Sequence, residues 1–233
     1  MGNKVHPALF RGSKRLSSWY ANKAVIYSSF LQEDYYLRQF ITESFKKAII
    51  DEIQILRSGN DNKVRVVISC SYPTHIINAY SKTKNSESGS GIDKIKKYFK
   101  LKYSKDIVVS VIEIGSNEIS AYIVAKRIAL QIEKRISVKS VIRSASQSVM
   151  QLSTRNGDIS ITNIIGVKII VNGRINGAEI AREEKVKEGQ IPLQTLSANI
   201  DLGAATAETI YGSVGVKVYI YRKTFKNDLK DVI

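Results

Sequence analysis

Basic side chains at helical spacing are the residues of this sequence best suited to chemistry. Lys139 and Arg143 are four residues apart, and Arg127 and Arg135 are eight apart in the preceding segment. In a helix this spacing places the side chains on one face. Such a row, with almost no acid beside it, suits contact with phosphates rather than proton transfer. Two amphipathic helices with ordinary solvated faces would show the same spacing, so this alternative stays open.

Groups for bond-making chemistry are missing from the sequence. His6 and His75 are the only histidines and Cys70 is the only cysteine, so neither a His/Cys zinc cluster nor a Ser/His/Asp set can be built. Cys70 lies in the run VRVVISCSY, which predicts a buried strand thiol. The glutamates between Glu179 and Glu188 have basic neighbours, as in surface ion pairs. We therefore predict no enzyme, no cofactor and no metal site.

The charge of the chain indicates a polyanionic partner. Its net charge is +15, and residues 116–157 hold seven basic but only two acidic residues. Residues 158–233 are nearly balanced, with ten basic and nine acidic residues. Such an excess suits nucleic acid or an acidic membrane surface. No apolar run approaches the roughly 20 residues of a membrane span, so we predict no membrane partner.

The second half of the chain is predicted to place helices on a sheet. Apolar residues of Val138–Leu152 form one stripe at helical spacing, with Lys139 and Arg143 on the opposite side. The candidate strands that follow are Ile159–Val171, Ile191–Asp201 and Val214–Tyr221, with a basic turn around Lys185–Gly189 between them. Two helices on one face of a mostly antiparallel sheet is the economical arrangement.

The first residues are predicted to be an extended basic arm over residues 1–16. They have no helical or strand period, and their bases are Lys4, Arg11, Lys14 and Arg15. Helical spacing begins at Ser17 or Ser18, and Asp34 could cap a second helix.

Residues 49–114 show the element order of a known nucleic-acid-binding domain. The predicted elements, after the helices, are the strands Ile49–Arg57 and Val64–Tyr72, the helices Thr74–Ala79 and Ile92–Leu101, and the strand Ile107–Ile114. Helix–strand–strand–helix–helix–strand is the order of a type II KH domain. KH domains hold single-stranded nucleic acid with a Gly-x-x-Gly loop between the two short helices.

That loop is enlarged here to Tyr80–Gly91. Gly91 stands where the second glycine is expected, and Ser88 has the spacing of the first. Lys82 and Lys84 could still contact phosphate. A flexible surface loop without a ligand is the alternative.

Several segments resemble one family of ribosomal proteins. They are MGNKVHP at the start, Ser18–Ala21, and above all GRINGAEIARE (Gly173–Glu183), EGQIPLQTLSANID (Glu188–Asp201) and YGSVGVKVYI (Tyr211–Ile220). Together they are similar to the S-three family of the small ribosomal subunit. Lys139, Ser140 and Arg143 match three positions of that family's basic run.

The resemblance implies an α+β protein, with an N-terminal type II KH domain and a C-terminal α+β domain of two helices packed on a mostly antiparallel sheet. We expect the arm at 1–16, the helical lead-in and KH domain at 17–115, and the C-terminal domain with a short tail at 116–233. Gly173, Gly177, Gly212 and Gly215 are expected to let strand ends approach rRNA or proteins, with Arg174 and Arg182 supplying charge. Gly177 could instead simply occupy a positive-φ turn.

The function that the resemblance implies is a structural role in the head of the small subunit. The protein would bind small-subunit rRNA and line the tunnel through which mRNA enters, beside the tenth and fourteenth proteins of that subunit. The richness in Ile, Lys, Asn and Ser suggests an AT-rich genome, and hence a bacterial cytoplasmic or an organellar ribosome. A KH-containing nuclease or repair enzyme, and a free RNA chaperone, are the alternatives.

Overall fold

The computed structural model describes residues 5–11, 19–57, 63–77, 90–114, 120–154 and 164–222. The chain divides into two compact units. The first unit is Arg15–Ile114, and the second comprises Met1–Lys14 and Gly115–Ile233. Several residues predicted to bind RNA lie outside the described ranges, namely Lys4, Lys14, Arg15, Lys82, Lys84 and Ser88.

The first unit has the predicted order of helices and strands. Within the described residues the order is α2 (Ala24–Ser44), a 3-10 turn (Lys46–Ala48), β1 (Ile50–Arg57), β2 (Lys63–Cys70), α3 (Thr74–Ile77), α4 (Gly91–Tyr103) and β3 (Asp106–Glu113); the label α1 belongs to the second unit. The sheet order is β1-β2-β3, with β1 antiparallel and β3 parallel to β2. The parallel pair needs a crossover connection, which α3 and α4 provide.

Alternating apolar residues build the core of the first unit. Ile53 and Ile55 of β1 and every second residue of β2, from Val64 to Cys70, point inward. The helices contribute Leu37, Ile41, Phe45, Ile95 and Phe99. A period of two in the strands and of about 3.6 in the helices explains why these elements were predictable.

The prediction that Asp34 caps a second helix is wrong. Ala24–Ser44 is one helix, and Asp34 lies in its middle, buried. Its carboxylate accepts a hydrogen bond from Trp19 Nε1 at 2.7 Å and pairs with the Arg57 guanidinium. No glycine or proline interrupts this stretch, and tertiary partners satisfy the carboxylate that would otherwise favour a cap. Trp19 precedes the helix rather than belonging to it.

The second unit is a four-stranded antiparallel sheet with two long helices, which confirms the predicted arrangement of two helices on a sheet and adds one strand to the three that were predicted. The described elements are α1 (Pro7–Arg11), α5 (Ala121–Glu133), α6 (Val138–Thr154), β4 (Ile164–Gly173), a 3-10 turn (Ile175–Gly177), β5 (Arg182–Gly189), β6 (Asn199–Thr209) and β7 (Gly212–Arg222). The strand order is β5-β4-β7-β6. Residues of α5, α6, β4 and β7 share one core with Ala207 of β6.

Two strand predictions in this unit are wrong. Lys185–Gly189 belongs to strand β5 and is not a turn, and β6 is Asn199–Thr209 rather than Ile191–Asp201. β5 is a charged edge strand of sequence REEKVKEG, so its apolar signal is weak. β6 is built largely of small residues because a helix packs closely on it. Tertiary context overrides the weak local preference in both strands.

The N-terminal segment is helical where an extended arm was predicted. Pro7–Arg11 forms the short helix α1. The Arg11 guanidinium donates to the carbonyl oxygen of Thr195 at 2.8 Å and of Leu193 at 3.4 Å. A planar guanidinium with several donors suits a turn of carbonyls, so this side chain fastens α1 to the segment before β6. Among the helices that the structure describes, none could span a membrane.

Candidate nucleic-acid interface

The N-terminus of α5 is fixed to β6 by a close backbone approach. A Cβ atom placed on Gly203 would lie 2.2 Å from the carbonyl oxygen of Ala121, so only glycine fits there. The backbone N–H of Ala121 donates to Asp201 Oδ2 at 2.9 Å, and the Ser120 side chain accepts from the N–H of Tyr122. These contacts satisfy donors at the start of the helix that have no partner within it. They set the position of the exposed basic residue Arg127.

Helix α6 is held by an apolar stripe and one buried hydroxyl. Val138, Val141, Ile142 and Val149 are buried against the sheet. The Ser146 hydroxyl, 1% exposed, lies 2.7 Å from Glu188 Oε1 of β5 and 3.0 Å from the carbonyl oxygen of Arg143. The face opposite this stripe is therefore fixed toward solvent, as the sequence predicted.

Lys139 and Arg143 are both exposed on this solvent face of α6, and the helix contains no acidic residue. The acid nearest to Lys139 is supplied by β5, where Glu184 Oε1 lies 3.8 Å from Lys139 Nζ. The pair is loose, and 75% of the Lys139 side chain is exposed, so the attraction is weak. The sequence did not indicate this acid, because the charged strand that carries Glu184 has a weak apolar signal.

Arg135 does not extend the row of Arg127. Helix α5 ends at Glu133, and Arg135 has a left-handed backbone with φ of 63°. Its N–H donates to the carbonyl oxygen of Ile132 at 2.9 Å and closes the turn before α6. The eight-residue spacing from Arg127 is therefore not a helical relation, because the helix has ended.

Arg135 instead lines a cavity of about 350 Å³ together with Arg174. Arg174 Nε donates to the carbonyl oxygen of Ala178 at 2.9 Å, and Nη1 donates to that of Tyr211 at 3.3 Å. Its guanidinium carbon lies 5.6 Å from the centre of the Tyr211 ring. Glu133 and Glu208 also line the cavity and balance the two arginines. Much of the donor capacity of Arg174 therefore serves the fold.

The predicted residue Arg182 lies at the same end of the sheet. Arg182 is exposed and lies in β5, where its partner in β4 is Gly173, the residue before Arg174. Glu184, which approaches Lys139, follows two residues later. The structure thus gathers Arg135, Lys139, Arg174 and Arg182 around one end of β4 and β5, a grouping that the sequence did not indicate.

The backbone at Gly177 favours the turn interpretation of that glycine. Its φ is 79°, in the left-handed region, and an added Cβ would lie 3.0 Å from the Tyr211 ring. Gly173 and Gly212 also have positive φ, whereas Gly215 has an ordinary backbone with only Asn172 O near it, at 3.9 Å. Gly173, Gly177 and Gly212 therefore meet local conformational needs of the strand ends, whereas the backbone at Gly215 does not require glycine.

In the first unit, Gly91 serves helix packing. A Cβ on it would lie 2.0 Å from the carbonyl oxygen of Ile76, so α3 and α4 touch through backbone atoms. Ser90 and Asp93 form a capping box at the start of α4. The hydrogen bonds from Ser90 hold the pKa of Asp93 below its usual value. The sequence analysis missed this box, although Ser90-x-x-Asp93 is a recognisable signal.

Within the described residues, no group of three or more His, Cys, Asp or Glu side chains could hold a metal ion.

Comparison with known proteins settles the family. A family model described as ribosomal protein S3, C-terminal domain, matches residues 128–220. Small ribosomal subunit protein uS3 of Dictyoglomus turgidum is 40% identical over 225 residues, which cover 95% of this chain and 84% of the relative. The chain belongs to the uS3 family of ribosomal proteins.

Other uS3 relatives have similar coverage. The protein of Syntrophomonas wolfei is 40% identical over 95% of this chain and 89% of its own length. The protein named uS3c of Pyropia yezoensis is 38% identical over 95% of this chain and 90% of its own length. Family membership makes the protein a structural, non-enzymatic ribosomal component, and it confirms the predicted family and ribosomal location.

Proposed function

We propose that this protein is a constituent of the head of the small ribosomal subunit that binds rRNA and borders the incoming mRNA through α6. One observation carries the proposal. Lys139 and Arg143 stand one turn apart on the solvent face of a helix that has no acid of its own. The buried stripe and the Ser146–Glu188 contact hold that helix rigidly on the sheet. Basic side chains held in place in this way neutralise phosphates and fix the position of the protein on RNA.

The other basic residues predicted to bind RNA fall into two groups, those that are exposed and those that bond to the protein backbone. Arg127 and Arg182 are exposed and free to contact rRNA phosphates. Arg11 and Arg174 both donate hydrogen bonds to backbone carbonyl oxygens, and we assign them to the fold first and to RNA second. The neighbours that we propose in the subunit are its tenth and fourteenth proteins.

The domain organisation belongs to the same proposal. The antiparallel β1–β2 pair, the parallel β2–β3 pair and the helices between β2 and β3 support a type II KH domain in the first unit. We propose that this unit contributes RNA contacts through its shape. Gly91 is committed to helix packing, so it does not hold a phosphate as a mobile loop glycine would.

The test is the salt dependence of RNA binding by the double variant Lys139→Gln/Arg143→Gln. If both side chains contact phosphates, the magnitude of the slope of log K against log salt decreases by about 1.4 to 1.8 in the double variant. A matched control, Lys46→Gln/Lys47→Gln, removes the same charge from an exposed turn of the first unit. An equal fall in both variants would show a general charge effect and would count against a role for α6.

A further inference from the structure

The second sheet has one face covered by the long helices α5 and α6, and a second face without a long helix, on which Ile200 at the start of β6 is buried. Residues such as Val167, Ile169, Val216 and Val218 point into the core beneath α5 and α6. The residues between them point the other way, because side chains alternate along a strand. We call this surface the open face; its larger side chains are Lys168, Ile170, Lys185, Lys187, Ile200, Leu202, Lys217, Tyr219 and Tyr221, and of these Ile200 is buried.

Strand register arranges these side chains in rows. Lys187, Lys168, Tyr219 and Leu202 are successive partners across β5, β4, β7 and β6. The next row contains Lys185, Ile170, Lys217 and Ala204 in the same order. Neighbouring strands are about 4.8 Å apart. The ammonium groups of Lys168, Lys185, Lys187 and Lys217 therefore lie beside a short apolar and aromatic strip that contains Ile170, Leu202 and Tyr219.

The tyrosines of this strip are accessible in part. Tyr219 and Tyr221 are half-buried, while Lys185, Lys187 and Lys217 are exposed. Lys168 Nζ lies 5.9 Å from the centre of the Tyr219 ring, which fixes a positive charge beside an aromatic surface. Burial raises the pKa of the Tyr219 hydroxyl, so the ring stays neutral at physiological pH.

Charge on the open face is nearly all of one sign. Consider Gly166–Asn172 of β4, the residues of β5 and β7 that pair with them, and the residues of β6 that pair with those of β7. Among these residues, Glu183 is the only acid that points to the open face. Its carboxylate lies 3.7 Å from Lys185 Nζ. Asp201, Glu184 and Glu188 belong to the opposite side, where they contact the helices. Lys168, Lys187 and Lys217 have no acid opposite them on this face.

We propose that the open face is a second RNA-binding surface, which takes a single-stranded segment by stacking bases on Tyr219 and Tyr221 while the lysines contact phosphates. Unpaired bases can splay onto an aromatic sheet surface, whereas a duplex keeps its bases stacked inside. A protein partner fits less well, because lysine is depleted in the cores of protein interfaces. The surface is separate from the α6 face, since the two lie on opposite sides of the sheet.

The test uses the full-length protein with a short unstructured RNA strand and with a blunt-ended RNA duplex that has the same number of phosphates. Tyr219→Leu removes the ring, and we expect about tenfold weaker binding of the single strand with no change for the duplex. Tyr219→Phe keeps the ring and should bind like the parent protein. Lys168→Gln/Lys217→Gln should lower the single-strand salt slope by about 1.4.

Two controls separate this proposal from the function proposed above. Lys46→Gln/Lys47→Gln matches the charge change on the first unit, and thermal melts followed by circular dichroism verify that each variant is folded. In the Lys139→Gln/Arg143→Gln background the effect of Tyr219→Leu should persist. If that background alone binds RNA like the parent while Tyr219→Leu still weakens binding, the α6 proposal fails and this one stands.

Three outcomes would overturn the inference. The first is unchanged single-strand affinity in Tyr219→Leu. The second is equal weakening by Tyr219→Phe and Tyr219→Leu, which would mean that stacking is not involved. The third is unchanged RNA binding in all open-face variants together with their failure to enter small subunits, which would make the open face a protein-docking surface.

Discussion

Two glycines of the second sheet differ in whether the fold would tolerate a Cβ atom. Gly203 of β6 supports the backbone of α5, and an added Cβ would lie 2.2 Å from the carbonyl oxygen of Ala121. Gly215 of β7 is also a strand glycine, but the only atom near an added Cβ is Asn172 O at 3.9 Å. Both glycines look alike in the sequence. Only the first is required by the approach of a helix.

We expect Gly203→Ala to destabilise the protein by roughly 1–3 kcal/mol, because the helix must move away from the sheet. Gly215→Ala is the matched control on the neighbouring strand and should change the free energy of unfolding little. Urea denaturation followed by circular dichroism measures both values. Equal stabilities of the two variants would show that α5 does not depend on this close approach.

Cys70 illustrates a residue whose role the sequence predicted well. It is fully buried in β2, and burial raises the pKa of its thiol, while a hydrogen bond from the backbone N–H of Tyr72 opposes that rise. Since the thiolate is the reactive form, we expect almost no reaction with a thiol-specific disulfide reagent in the native protein at pH 8. Full reaction should follow in denaturant. Rapid labelling of the folded protein would contradict the burial of β2.

At the scale of elements, the sequence predicted those with a strong apolar period and missed those without one. The stripe of α6 and the strand β2 were both recognised. Charged β5 and small-residue β6 were misplaced, because their strand structure comes from pairing with β4 and β7. The site followed the same pattern: Lys139 and Arg143 were placed on the exposed face of α6, whereas the grouping of Arg135 with Arg174 depends on tertiary contacts that leave no local signal.

Helix α2 and strand β1 are joined by a buried charge cluster that no local pattern predicted. Arg57 pairs with Asp34 and lies 2.9 Å from Glu33 Oε2, while Lys105 Nζ is 2.9 Å from Glu33 Oε1. The Arg57 guanidinium also lies 4.3 Å from the centre of the Phe30 ring. The cluster satisfies two carboxylates on the buried side of α2.

Arg57→Ala should therefore destabilise the first unit strongly, by about 3–5 kcal/mol, because it leaves the buried Asp34 carboxylate without its ionic partner and Glu33 with Lys105 alone. The exposed pair of Lys100 and Asp106, 3.8 Å apart, provides the control variant Lys100→Ala, which should unfold at the parent concentration of urea. Chemical denaturation monitored by Trp19 fluorescence reports on this cluster directly. A stability loss no larger than that of the control would show that the cluster contributes little.

At the scale of the whole molecule, the positive charge does not belong to one tail or one motif. The net charge of +15 is spread over both units, and the nearly neutral C-terminal third still presents a basic open face. Strand alternation places Lys168, Lys185, Lys187 and Lys217 on one side and Glu184 and Glu188 on the other, so regional net charge understates the local potential. Short glycine-rich segments predicted the family from the sequence, but the two RNA surfaces proposed here follow from the folded sheet.

The last prediction concerns retention of the protein in the small subunit. The parent protein should stay with small subunits as salt is raised until its many phosphate contacts are lost together, because each contact releases counterions when it forms and is weakened by added salt. A variant that combines Lys139→Gln/Arg143→Gln with Lys168→Gln/Lys217→Gln should leave the subunit at clearly lower salt than either double variant. Each surface would then contribute separately to retention, as expected for sites on opposite sides of one sheet. Release of the combined variant at the same salt as one double variant would mean that only one of the two surfaces contacts RNA in the assembled particle.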